Sequence, residues 1–123
     1  MNFISGYMEL RNGLYTVTDR QVDGSGKTAY TLRLNADHFI YKAHFPGLPV
    51  TPGVCIVQIV KELMEDYTGK RLSIEAVKNA KFLTVLSPVE IPVVTVEVQS
   101  HPTRAVVSGG GRTVAKISMT LSD

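Results

Sequence analysis

The sequence predicts an α+β domain in which an antiparallel sheet packs against one long helix. Two observations carry that expectation. Alternating strand-like runs come in pairs joined by glycine-containing turns, and between the pairs lies a single stretch with apolar residues at helical spacing. With 123 residues and a mass of 13.5 kDa, the chain has room for one core, so 1–123 is read as a single domain. Apolar residues make up 44% and charged residues 20%, a balance that excludes a disordered chain or a coiled coil.

The first pair of runs, "LYTVTDRQV" and "KTAYTLRLN", flanks "DGSG", and its alternation of apolar and polar residues suits a hairpin. An irregular stretch follows, "ADHFIYKAHFPGLPVTP", whose three prolines each lack a backbone donor and disfavour regular structure. The helix is expected over "VCIVQIVKELMEDYTG", because Ile56, Ile59, Val60, Leu63 and Met64 recur at i, i+3, i+4, i+7 and i+8. Pro52 suits its first turn and Gly69 its C-terminal cap, while Lys61, Glu62, Glu65 and Asp66 mark a polar far end. Strands resume in "RLSIEAVKNAKFLTVL", "IPVVTVEVQS", "TRAVVS" and "RTVAKISMTLS", the last two joined through "GGG".

Charge and cysteine content narrow the function. Thirteen basic and eleven acidic residues give a formal +2, and the basic residues form no stripe, so nucleic acid is not expected as a partner. Cys55 is the only cysteine and has no partner for an internal disulfide, which fits a reducing compartment. No run approaches the ~20 apolar residues of a membrane span, and the expected location is the cytoplasm. Neither a metal nor an organic cofactor is called for.

The chemistry concentrates in "HFPGLPVTPGVCIVQ". His44 is the usual type of general base near neutral pH, held here by proline-rich backbone. Pro52 and Gly53 stand where loop becomes helix; N–H groups free of helical partners and the helix dipole favour a developing negative charge there. Gln58 is an amide among apolar neighbours, so it needs a ligand, a water, a partner chain or the solvent edge. The bland readings are a packed loop histidine, a plain helix start and a surface glutamine.

"HFPGLPVTPGV" resembles the signature loop of the 3-hydroxyacyl-[acyl carrier protein] dehydratases of the FabZ/FabA type, and "NAKFLTVLSPVE" is similar to that family's downstream strand. The resemblance implies a hotdog fold, an antiparallel sheet wrapped around one long central helix. It further implies dehydration of a 3-hydroxyacyl thioester to the trans-2-enoyl thioester, in fatty-acid or related acyl-chain synthesis. Acyl carrier protein would present the substrate, and the assembly would be a homodimer or an oligomer of dimers. By the same resemblance His44 is the catalytic base, the Gly53 N–H polarises the thioester carbonyl, and Phe45, Pro52, Gly53 and Val54 bind substrate. Gln58 occupies the catalytic position where the family carries an acid, and an amide there can orient a hydroxyl or a water but has no proton to give. Asp37, His38 and Tyr41 are the substitutes within reach of the loop, and Cys55 is read as a packing residue. Two alternatives stay open: a non-catalytic acyl or acyl-carrier-binding subunit of a heteromeric dehydratase, and a hotdog thioesterase.

Overall fold

The computed structural model describes residues 9–43 and 47–123. Among them run six strands, β1 (Tyr15–Val22), β2 (Thr28–Leu34), β3 (Ser73–Phe82), β4 (Val93–Gln99), β5 (Thr103–Gly109) and β6 (Arg112–Ser122). Two helices, α1 (Phe39–Ala43) and α2 (Gly53–Thr68), separate β2 from β3. The strands form one sheet in the order β1-β2-β4-β5-β6-β3, and all five pairings are antiparallel.

Register carries the alternation of the sequence across the sheet. Thr28 of β2 pairs with Val98, Val98 with Ala105, and Ala105 with Ile117; the next inward row runs Tyr30, Val96, Val107 and Ala115. All eight are buried, so one face of the sheet is continuous from β2 to β6. Against it lies α2, which buries Ile56, Ile59, Val60, Leu63 and Met64, the stripe expected from helical spacing. The "GGG" turn closes β5 to β6 with Gly110 and Gly111 at positive φ, 59° and 74°, conformations that glycine adopts without a steric penalty. Gly69 caps α2 at φ 73°, and its N–H donates to the Glu65 carbonyl.

Three expectations need correction. The stretch before α2 contains a helical turn, α1, because Asn35 and His38 supply local acceptors: the Asp37 N–H donates to Asn35 Oδ1 and the Ile40 N–H to His38 Nδ1. Pro52 precedes α2 rather than lying in its first turn, with φ −61° and ψ 145°. Glu62 is buried, not part of a polar far end. Strand β3 departs from the pattern of the others: apart from partly buried Ala80, every residue on it is exposed, and its second edge pairs with no other described strand.

Candidate active site

The loop before α2 is tied down on both sides. The Thr51 N–H donates to the Leu86 carbonyl at 2.8 Å, and the Thr51 and Tyr41 hydroxyls meet at 2.8 Å in the interior. Burial pushes the Tyr41 phenol up to about 12, so it is a poor proton donor to a substrate. His38 stacks on Phe39 with ring centroids 4.5 Å apart, and burial holds its imidazole below the ordinary value. With Nδ1 accepting from Ile40, its role is to start α1. Of the proposed substitute acids, Tyr41 and His38 are thus committed to the scaffold. Burial likewise pushes the Cys55 thiol up to about 11, as expected of a packing residue rather than a nucleophile.

At the start of α2 the Pro52 carbonyl accepts from the N–H groups of Cys55 and Ile56, at 2.9 and 3.2 Å. The N–H groups of Gly53 and Val54 come before that first turn closes, so neither has an acceptor inside the helix. Among the described residues no side chain caps this end, which leaves the partial positive charge of the helix without a capping group there. Gly53 keeps this point of the backbone close to Phe82: a Cβ there would lie 3.0 to 3.3 Å from three atoms of the ring, which would have to give way. Phe82 is 49% exposed and Val54 52%, so an apolar, accessible surface surrounds the helix start. His44 and Phe45 lie outside the described residues, bracketed by the end of α1 and by Gly47 at φ 85°.

Gln58 is 3% exposed, which excludes a solvent-edge glutamine. Its partner lies in its own helix, one turn on: Nε2 donates to Glu62 Oε2 at 2.9 Å. Glu62 also accepts from the Leu10 N–H at 2.8 Å on the same oxygen. Its Oε1 takes the Arg11 N–H at 2.9 Å and the Tyr15 hydroxyl at 2.7 Å. Burial, then the charge of Glu62 and the hydrogen bond to it, drive the Tyr15 phenol far above its ordinary value. Asp66, a further turn along, accepts from the Tyr30 hydroxyl at 2.6 Å and pairs with Arg11 and Arg20. Among the described residues no group of three histidine, cysteine or acidic side chains is arranged to hold a metal ion.

Sequence reasoning singled out Gln58, Gly53 and Val54 but missed Glu62 and Phe82. The signal for Glu62 was present, since Gln58, Glu62 and Asp66 recur every four residues and so run as one polar line along the helix. Phe82 falls within the downstream strand segment "NAKFLTVLSPVE", but its contact with Gly53 left no trace, because that contact depends on how β3 is placed in the sheet.

A sheet wrapped on one long helix, with a Pro-Gly loop delivered to that helix's N-terminus, defines the hotdog fold. Within it, the chain belongs to the ApeI-like family, described as ApeI dehydratase, which it matches over residues 20–116. The 3-hydroxyacyl-[acyl-carrier-protein] dehydratase FabZ of Clostridium acetobutylicum is 32% identical over 66 residues, which cover 48% of this chain and 47% of that protein. FabZ of Fusobacterium nucleatum is 36% identical over 53 residues, 39% of this chain and 38% of its own. The chain thus spans about half the length, or less, of these curated relatives. One chain of the structure described as the dehydratase heterocomplex ApeI:P from Xenorhabdus doucetiae superposes with a TM-score of 0.75 at 17% identity, covering 87% of this chain and 96% of that one. An uncharacterized protein from Erwinia carotovora subsp. atroseptica superposes with a TM-score of 0.62, also at 17% identity, covering 89% and 96%. At that identity the two structures establish the fold.

Proposed function

We propose that the chain is a dehydratase-like hydro-lyase that converts a 3-hydroxyacyl thioester, carried on acyl carrier protein, to the trans-2-enoyl thioester. The observation that carries this reading is the start of α2, where the loop from His44 ends on Gly53 and the Gly53 N–H has no acceptor within the helix. His44 removes the proton from the carbon next to the thioester, and the electron pair moves toward the carbonyl oxygen. The Gly53 N–H and the helix dipole stabilise that oxygen. The pair then forms the Cα–Cβ double bond as the β-hydroxyl leaves, and His44 returns the proton so that water departs. Gln58 orients the hydroxyl, and Phe45, Pro52 and Val54 line the approach. A second copy fits the exposed β3 edge, where Ile74 and Val77 are accessible, giving a homodimer or an oligomer of dimers.

One observation favours a second reading. The only acid near residue 58 in the described helix, Glu62, is fully engaged by donors, which suits a subunit whose missing acid comes from a related chain. Incubating the purified protein with a 3-hydroxyacyl carrier-protein thioester, and following enoyl product and free thiol, separates the possibilities. Enoyl product in the wild type, falling about 10²- to 10⁴-fold in His44→Ala, is the expected result. An inert wild type that gains activity in Gln58→Glu points to the subunit, free thiol without enoyl product to a thioesterase, and inactivity of every variant overturns the proposal.

A further inference from the structure

We infer that Glu62 is a positioning residue that fixes the orientation of the Gln58 amide, so that residue 58 offers the site an oxygen acceptor and no proton. The substrate side of this inference rests on the dehydratase reading; the contact between the two side chains does not. A carboxylate has about four lone-pair positions, and those of Glu62 meet four donors: Leu10 N–H and Gln58 Nε2 on one oxygen, Arg11 N–H and Tyr15 Oη on the other. Such a group accepts at every position. The face of the Gln58 amide turned toward it must therefore be the nitrogen, and planarity sends the oxygen away from Glu62. A substrate hydroxyl meeting Gln58 donates to that oxygen, which aligns the hydroxyl for departure and leaves the proton to be supplied by His44 or by a partner chain.

The demand for a carboxylate at 62 is strict. The two backbone donors, Leu10 N–H and Arg11 N–H, approach different oxygens, so a glutamine at 62 sets its NH₂ against one of them in either orientation. Turned toward Leu10, it also forces the Gln58 amide to flip and present nitrogen to the site. In that orientation Glu62→Gln changes what residue 58 offers, beyond any loosening of the helix. Asp66→Asn supplies the control for loosening, because Asp66 anchors the same helix to Tyr30 without touching Gln58.

The test follows the side-chain amide protons of Gln58 by ¹H–¹⁵N spectroscopy, assigned by their disappearance in Gln58→Glu. Glu62→Gln is expected to shift both protons and to speed their exchange with water at least about tenfold, while Asp66→Asn leaves them in place. With a 3-hydroxyacyl carrier-protein thioester, kcat in Glu62→Gln falls about 10- to 100-fold with a smaller change in KM. Unaltered amide signals in Glu62→Gln, or the same change in Asp66→Asn, overturn the assignment. If the wild type forms no enoyl product, the dehydratase reading fails while the amide signals still decide the role of Glu62. Should Glu62→Gln not fold, Gln58→Glu decides it: two carboxyl groups in contact must share a proton, so Tm relative to wild type falls as pH rises and that proton is lost. Tyr15, Arg11 and Glu65 face the pair equally in both proteins and cancel from that difference. Parallel Tm curves in the two proteins overturn the inference.

Discussion

The two ends of α2 are built from opposite materials. Its C-terminal half is fastened by carboxylates, with Glu62 taking donors from β1 and the segment before it, Asp66 reaching Tyr30 of β2, and Glu65 accepting from the Leu72 N–H. Its N-terminal half carries no carboxylate and, among the described residues, no side-chain cap; its first turn presents backbone N–H groups, an exposed valine and the ring of Phe82. The difference teaches why the acids of this helix are poor candidates for proton transfer. They are spent on holding the helix still, and under the proposed function that rigidity would let a bare helix end face a substrate without its own supports.

The largest effect expected from disturbing this arrangement is at Glu62. Glu62→Ala strands Leu10 N–H, Arg11 N–H, the Tyr15 hydroxyl and the Gln58 amide together, in a region where Glu62 itself is 5% exposed. Removing one member of a buried charged network costs about 3–5 kcal/mol, and the urea midpoint should fall accordingly. A loss under about 1 kcal/mol would mean that water replaces the carboxylate easily and that the C-terminal half is not fastened as described.

Asp66 should matter less and should show it through pH. The Tyr30 hydroxyl, and after it Arg11 and Arg20, hold the Asp66 carboxyl below the ordinary carboxylate range against the opposing effect of burial. A lowered folded value means that the unfolded chain binds the proton first as pH falls. The contribution is therefore complete above the unfolded value of about 3.9 and is lost as pH drops through the folded one. Asp66→Asn is expected to cost about 1 kcal/mol near pH 7, since the group is partly solvated, and to cost little at low pH. A wild-type to variant difference that stays constant with pH would show that the acid contributes by shape rather than charge.

Much of this contrast was legible in the sequence, and the part that was not has a physical reason. The strand runs, the helical stripe and the caps are local patterns, set by periods of two and 3.6 residues and by the backbone demands of proline and glycine. Ala115, Ile117 and Met119 alternate inward as their sequence implies, and Gly69 caps where expected. Gln58 and Glu62 share a helix face that the sequence shows, but the other three donors to Glu62 were not legible, because they come from residues 47 to 52 positions away. Hydropathy rates a glutamate as surface, and only the meeting of β1 with α2 reveals it as interior. The short α1 was hidden for the opposite reason, since two side-chain acceptors at its start outweighed a proline-rich context.

The smallest expected effect on stability falls at the bare end, at Gly53. Gly53→Ala gains about 0.5–1 kcal/mol from the reduced freedom of the unfolded chain and better helix propensity. It also places a methyl group 3.0 to 3.3 Å from the Phe82 ring. The ring is half-exposed and free to swing outward, so the two contributions nearly cancel and the change in Tm should be within a few degrees. Enoyl formation should respond far more, falling about tenfold or more, because the displaced ring and the added methyl both stand where a thioester oxygen must approach the Gly53 N–H. Smaller side chains at 82 sharpen the distinction: Phe82→Ala combined with Gly53→Ala removes the clash with the ring but keeps the methyl on the backbone. Activity restored by the second substitution would assign the loss to the ring. Activity still absent would assign it to the approach of the carbonyl, and unimpaired activity in Gly53→Ala itself would remove the helix end from the chemistry.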